Sequence, residues 1–264
     1  MMLIDFHTHA FPEKIAERAI TKLSFASGGL KPQTDGTLLG LKESMKKSDV
    51  DISVVMNIAT NAEQQSKVND FAAFIDNKKD IFSFGSVYPD ARDALDELER
   101  IHDLGLLGVK LHPDYQGFFV DDEKMKPIYK KISQLGLITL FHAGFDFGFA
   151  PPYGATPERL EKALSWFDSP VIAAHWGGVC CGDGVLKHLC GRDLYFDTSF
   201  GYGIMPKYYA QKIIEKHGSE RMLFGTDTPW HNAQMEMRLL GSLELSETDM
   251  ENITHKTAQK LLGI

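Results

Sequence analysis

The chain has 264 residues, of which 43% are hydrophobic and 24% charged, and its net charge is −8. This length suits an α/β barrel, which needs about 250 residues, and the acidic balance without a basic strip argues against a nucleic-acid backbone as partner. No apolar run approaches the ~20 residues that cross a bilayer, and the first residues lack a basic start followed by an apolar signal core, so neither membrane insertion nor export is expected. Three cysteines, Cys180, Cys181 and Cys190, form an odd set with no zinc-site spacing. They predict reduced thiols and a cytoplasmic setting, with the vicinal pair read as packing or loop residues.

In chain order, eight short β-like runs stand out: 2–7 (MLIDFH), 51–58 (DISVVMNI), 81–88 (IFSFGSVY), 107–112 (LGVKLH), 137–143 (LITLFHA), 170–175 (PVIAAH), 194–199 (LYFDTS) and 222–227 (MLFGTD). Several are apolar on both faces, as strands of a buried parallel sheet should be. After the first gap their starts lie 24–33 residues apart, the length of one βα unit. Residues 61–79, 91–104, 123–136 and 205–217 carry apolar positions at three- and four-residue spacing and predict helices. Thr156-Pro157 reads as a helix start with a capping hydroxyl. Ser246 and Asp249 read as a capping box before a last helix at 247–262. The pattern predicts one α/β domain over residues 1–264, a (β/α)8 TIM barrel. An open doubly wound sheet fits less well, because no dinucleotide glycine fingerprint is present. The first gap is longer, 49 residues from start to start, and holds SFASGGLKPQTDG at 24–36. It reads as a long mobile loop, either a surface insertion or a flap over the site.

Five of the ten histidines fall at or just past strand ends: His7, His9, His112, His142 and His175. His231 follows the eighth strand, which itself ends on Asp227. Side chains alternate along a strand, so His7, His9 and also Asp5 should point one way. At a barrel mouth these groups converge with those of the fifth, sixth and eighth strands. Neutral imidazoles with one carboxylate and an open position suit a divalent ion. A lone strand-end histidine is ordinarily a hydrogen-bonding residue, and H-x-H alone is weak; the ordered set carries the reading.

The carriers DFHTH (5–9), GVKLHP (108–113), FHA (141–143), AHWGG (174–178), YFDTS (195–199), LFGTDTPW (223–230) and ITHKTAQKLL (253–262) resemble the amidohydrolase superfamily of metal-dependent barrels. The resemblance is closest to its amidohydrolase-related branch of semialdehyde decarboxylases, resorcylate-type decarboxylases and pyrone-dicarboxylate lactonases. It implies a metal site at the C-terminal ends of the strands, with His7, His9, His142 and Asp227 as ligands and His175 as acid/base. It further implies one divalent ion, Zn2+ first and Mn2+ or another ion as alternatives. A second ion is implied only if Lys110 is carbamylated. Lys110 and His112 share a strand face and are expected, with Trp176 and Trp230, to line a substrate site.

Two reactions fit this set. One is hydrolysis of a small, cyclic or aromatic molecule through a metal-activated water, with Asp227 taking the proton. The other is non-oxidative decarboxylation of a small carboxylic acid. The branch's decarboxylases hold a carboxylate with arginine, and the strand-end loops offer Lys31, Lys110 and Lys207 instead, with Arg159 inside a helix; this favours hydrolysis. Loops at 144–153, 199–203 and 228–231 are aromatic and suit an apolar ligand wall or rim packing. A purely structural metal would need His175 to close the shell. The expected partner is a small-molecule substrate, with neither nucleic acid nor membrane, and a homodimer is left open.

Overall fold

The computed structural model describes residues 2–264. Eight parallel strands occur where the apolar runs predict them, each shorter than its run. They are β1 (Ile4–Thr8), β2 (Ile52–Met56), β3 (Ile81–Phe84), β4 (Gly108–Leu111), β5 (Ile138–Phe141), β6 (Val171–Ala173), β7 (Tyr195–Asp197) and β8 (Met222–Leu223). They pair in sequence order as two arcs, β1 to β3 and β4 to β8. Both seams are bridged, by Gly85 with Val109 and by Thr8 with Thr228. Backbone hydrogen bonds support the closure: Lys110 N–H donates to Gly85 O at 2.8 Å, and Asp227 N–H to His7 O at 2.7 Å. The result is a TIM barrel.

Alternate residues separate two apolar layers. Ile4, Phe6, Val54, Met56, Phe84, Leu140 and Ile172 fill the barrel interior, while Val55, Val109, Leu111, Phe141 and Ala173 pack under the helices. The predicted helices at 61–79, 91–104, 123–136 and 205–217 appear with trimmed ends, for example Lys207–His217. The last helix, 247–262, contains a π-helical stretch, Asn252–Lys256, and opens on the capping box of Ser246 and Asp249. Pro157 does start a helix, but the Thr156 hydroxyl makes no capping hydrogen bond.

The first gap is more ordered than its composition suggests. It contains α1 (Glu13–Ala26) and α2 (Leu38–Lys47). Residues 24–26 of the expected loop are the last turn of α1, and the rest returns to the eighth strand's loop, where Gln33 N–H donates to Pro229 O at 2.6 Å. After β2 comes α3 (Gln65–Ile75), and after β3 comes α4 (Ala94–Asp103). Among the described residues, no helix is long and apolar enough to cross a membrane.

Candidate metal centre and cavity

A bulge in β1 aims the first histidine. Ile4 pairs with Ile52 and Asp5 with Ser53, but Thr8 pairs with Val55, so β1 spends one residue more than β2 over that step. Such an insertion reverses the alternation. Phe6 therefore packs the interior, against Phe84, and His7 also faces inward. The expectation that Asp5 shares the direction of His7 is overturned by this shift. Asp5 lies outside the cavity wall and accepts hydrogen bonds from Thr226 N–H at 3.0 Å and Thr226 Oγ1 at 2.6 Å. Burial pushes its carboxyl up to about 8. Gly225 makes room for His7, since a Cβ there would stand 3.0 Å from His7 Cβ.

Three donors meet at this point. His7 Nε2 lies 3.6 Å and His9 Nε2 3.1 Å from Asp227 Oδ1. The other nitrogen of each ring is engaged: His7 Nδ1 at 2.9 Å from Asp197 Oδ2, and His9 Nδ1 at 2.8 Å from Met56 O. A neutral ring facing an acceptor through Nδ1 carries its proton there, which leaves a lone pair on Nε2. Two Nε2 lone pairs and a carboxylate oxygen thus converge, an arrangement of acceptors that calls for a cation between them. The donor set fits a divalent ion of the zinc or manganese type.

The electrostatics agree. Burial lowers the His7 pKa and takes His175 down to about 3, so the rings are neutral at pH 7. Burial pushes the carboxyls of Asp197 and Asp227 up, but the facing imidazoles and donors hold both well below the usual range. Asp197 takes the His175 N–H at 2.9 Å, the Ser199 N–H at 3.1 Å and the Ser199 hydroxyl. His175 Nδ1 lies 2.8 Å from that hydroxyl, and its Nε2 lies 3.1 Å from His142 Nδ1. Asp197, Ser199, His175 and His142 form one run of donors and acceptors. Three of the residues involved, His175, Phe200 and Asp227, have φ of 56–63°, a conformation that side chains other than glycine's rarely adopt. Such strain collects at functional sites.

His142 stands one contact from the first three donors. Its ring stacks on His112 at 4.2 Å, and its ligand atoms group with those of His112 and Asp146. Lys110, 1% exposed, brings Nζ to 3.3 Å from His7 Nε2, and burial lowers its pKa to about 8. His112 Nε2 lies 3.2 Å from Asp146 Oδ2. His7, His9, Lys110, His112, His142, His175, Asp227 and Trp230 all face one cavity of about 670 Å³. Trp176 does not. It is 1% exposed and its indole N–H donates to Thr198 O at 2.9 Å, so it packs beneath the site instead of lining it. His231 is also turned away, paired with Glu236 and stacked on Phe200 at 4.5 Å.

Asp197, Ser199 and Asp146 complete the site and lie outside the sequence-derived set. Asp197 ends β7 and Ser199 ends the YFDTS run, where a strand-end carboxylate was the available signal. Among the described residues no arginine lines the cavity: Arg159 is held by Asp121 and stacks on Phe119.

Comparison with known proteins gives the family. A family model described as Amidohydrolase matches residues 4–264. No curated protein matches. Among solved structures, an uncharacterised TIM-barrel protein from Bordetella bronchiseptica is 20% identical, with a TM-score of 0.79, over 100% of this chain and 99% of that one. A 2,6-dihydroxybenzoate decarboxylase complexed with 2,6-dihydroxybenzoate is 15% identical, with a TM-score of 0.75, over 100% of both chains. A dihydroxybenzoic acid decarboxylase from Polaromonas sp. JS666, with bound manganese and an inhibitor, is 17% identical, with a TM-score of 0.72, over 99% of this chain and 97% of that one. With its whole length matched and its strand-end donors converging on one cavity, the chain belongs to the amidohydrolase family.

Proposed function

We propose that the protein is a metal-dependent hydrolase of a small molecule that carries an amide, ester or lactone carbonyl. The observation that carries this reading is the meeting of His7 Nε2, His9 Nε2 and Asp227 Oδ1 at the floor of an open cavity. His7, His9 and Asp227, with His142 as the further donor implied by the resemblance, would hold a divalent ion, which when bound would supply Lewis-acid polarisation of a carbonyl and a water whose pKa falls from ~15.7 toward ~7. Zinc is the first choice and manganese the second, with one ion per chain and Lys110 left as an amine.

The chain's own groups do the rest. Asp227 is ionised and accepts a proton at its carboxylate. His175, neutral and tied through Ser199 to Asp197, passes a proton at Nε2 or holds it. Lys110 faces the reacting centre without a carboxylate partner within 4.0 Å among the described residues and is placed to hold an oxyanion. With its three cysteines all free, we place the enzyme in the cytoplasm.

Decarboxylation is the second reading. It is favoured by the names of the dihydroxybenzoate decarboxylases to which the fold is similar, and Lys110 would then hold the substrate carboxylate. The test is to load the protein with zinc or manganese and offer it amides, esters and lactones beside aromatic carboxylic acids. Hydrolysis products without carbon dioxide support the first reading. Carbon dioxide without hydrolysis removes it in favour of the second.

A further inference from the structure

The cavity is larger than its polar floor requires. At about 30 Å³ for each water-sized group, about 670 Å³ holds roughly twenty such groups, whereas the imidazoles, Lys110 and Asp227 surround only its inner end. The outer part runs between two helices. Ile15, Ala19, Leu23 and Ala26 line it from α1. Their steps of four, four and three residues form a single helix face, which covers about 16 Å at ~1.5 Å per residue. Val68 and Phe71 of α3 line the same cavity, and Lys22 of α1 and Lys67 of α3 are the charged side chains that these two helices add to the wall. Ala19 and Ala26 keep this face low, so the groove stays open where larger side chains would fill it. A small substituted benzoate on the floor would leave the channel empty.

We propose that the substrate is amphipathic: a polar reacting head on the histidine floor, joined to an extended apolar body, such as a medium-length acyl chain, lying between α1 and α3. This rests on the proposed function in one respect, that the reacting carbonyl sits beside His7, His9 and Asp227. The channel is continuous with that floor, which is why its occupant belongs to the same molecule. The apolar body supplies binding energy remote from the reacting atoms, and such energy can be used to hold the head in place. It also displaces water from the throat, where His175 and Lys110 act.

The test uses the zinc-loaded protein and a series of straight-chain acyl hydroxamates from acetyl to octanoyl, with binding read by titration calorimetry. Each methylene added should tighten binding about 3- to 4-fold while the chain remains in the channel, or roughly 1,000-fold if all six added methylenes are accommodated. Ala19→Trp, which places an indole in the middle of the channel, should flatten the dependence on chain length. Affinity that does not rise with chain length in the unmodified protein overturns the proposal, as does a slope that Ala19→Trp leaves unchanged. Turnover of the matching acyl anilides is scored separately. Length-dependent binding without hydrolysis keeps the channel and removes the hydrolytic reading; hydrolysis with length-independent binding does the reverse.

Discussion

His175 and His217 are both buried histidines, and burial lowers both, to about 3 and about 4. Their partners differ. His217 faces the Leu194 carbonyl through Nε2 at 3.0 Å, accepts the Gly191 N–H at Nδ1 at 3.1 Å, and stacks on Phe196 at 4.1 Å. Backbone groups satisfy both of its nitrogens, and nothing is left to react. The ring nitrogens of His175 face side chains, Ser199 and His142, and the ring lines a cavity. Burial and a lowered pKa therefore do not separate a reacting histidine from a structural one. The identity of the partners does.

Removing each ring in turn separates the two histidines most sharply. His175→Asn should lower turnover by about 10²- to 10⁴-fold. It should leave the melting temperature nearly unchanged, since asparagine tolerates the positive φ at that position. A large loss of stability with retained activity would reverse the assignment. Next in size is Asp197→Asn. This carboxylate orients His7 and holds the backbone of His175, so metal affinity should fall about 10- to 100-fold, read by competition with a chelator.

The structural histidine predicts a pH effect instead. His217 is near 6.5 when unfolded and about 4 when folded. The unfolded chain thus binds the proton first, and stability that is full above pH 6.5 is lost as pH falls toward 4. The loss amounts to at most about 3 kcal/mol. Denaturant titrations at pH 7 and pH 4.5 should show it, and His217→Gln should reduce the difference. The smallest expected effect is at Trp176. Trp176→Phe removes one hydrogen bond to Thr198, which should cost about 1 kcal/mol of stability. The same change should leave KM alone, whereas Trp230→Ala, in the cavity wall, should raise it.

What could be read from the sequence follows the same division between local and partnered features. The strands were legible because most are buried on both faces and fall in short runs dominated by apolar residues, as in ISVVM of β2. The strand-end histidines and Asp227 were legible because the barrel fixes which ends gather. The bulge in β1 was not, since it exists only in register against β2, and with it went the placement of Asp5. The order in the first gap was masked by the Gly, Ser and Pro residues at 24–36, although Ile15, Ala19 and Leu23 already repeat at helical spacing. Trp176 looked like a cavity residue because it follows His175. Consecutive positive φ values at the two residues turn the indole down onto Thr198 instead. Asp146 carries no local pattern; only the fold brings it to His112.

The most direct measurement is the metal content of the purified protein by plasma mass spectrometry, beside a His7→Ala/His9→Ala double variant. One equivalent of a divalent ion per chain is expected, lost in the variant while the barrel stays folded by circular dichroism. Two equivalents would show that Lys110 and its neighbours hold a second ion. No metal, even after reconstitution with zinc or manganese, would contradict the reading of the His7, His9 and Asp227 cluster as a catalytic metal centre.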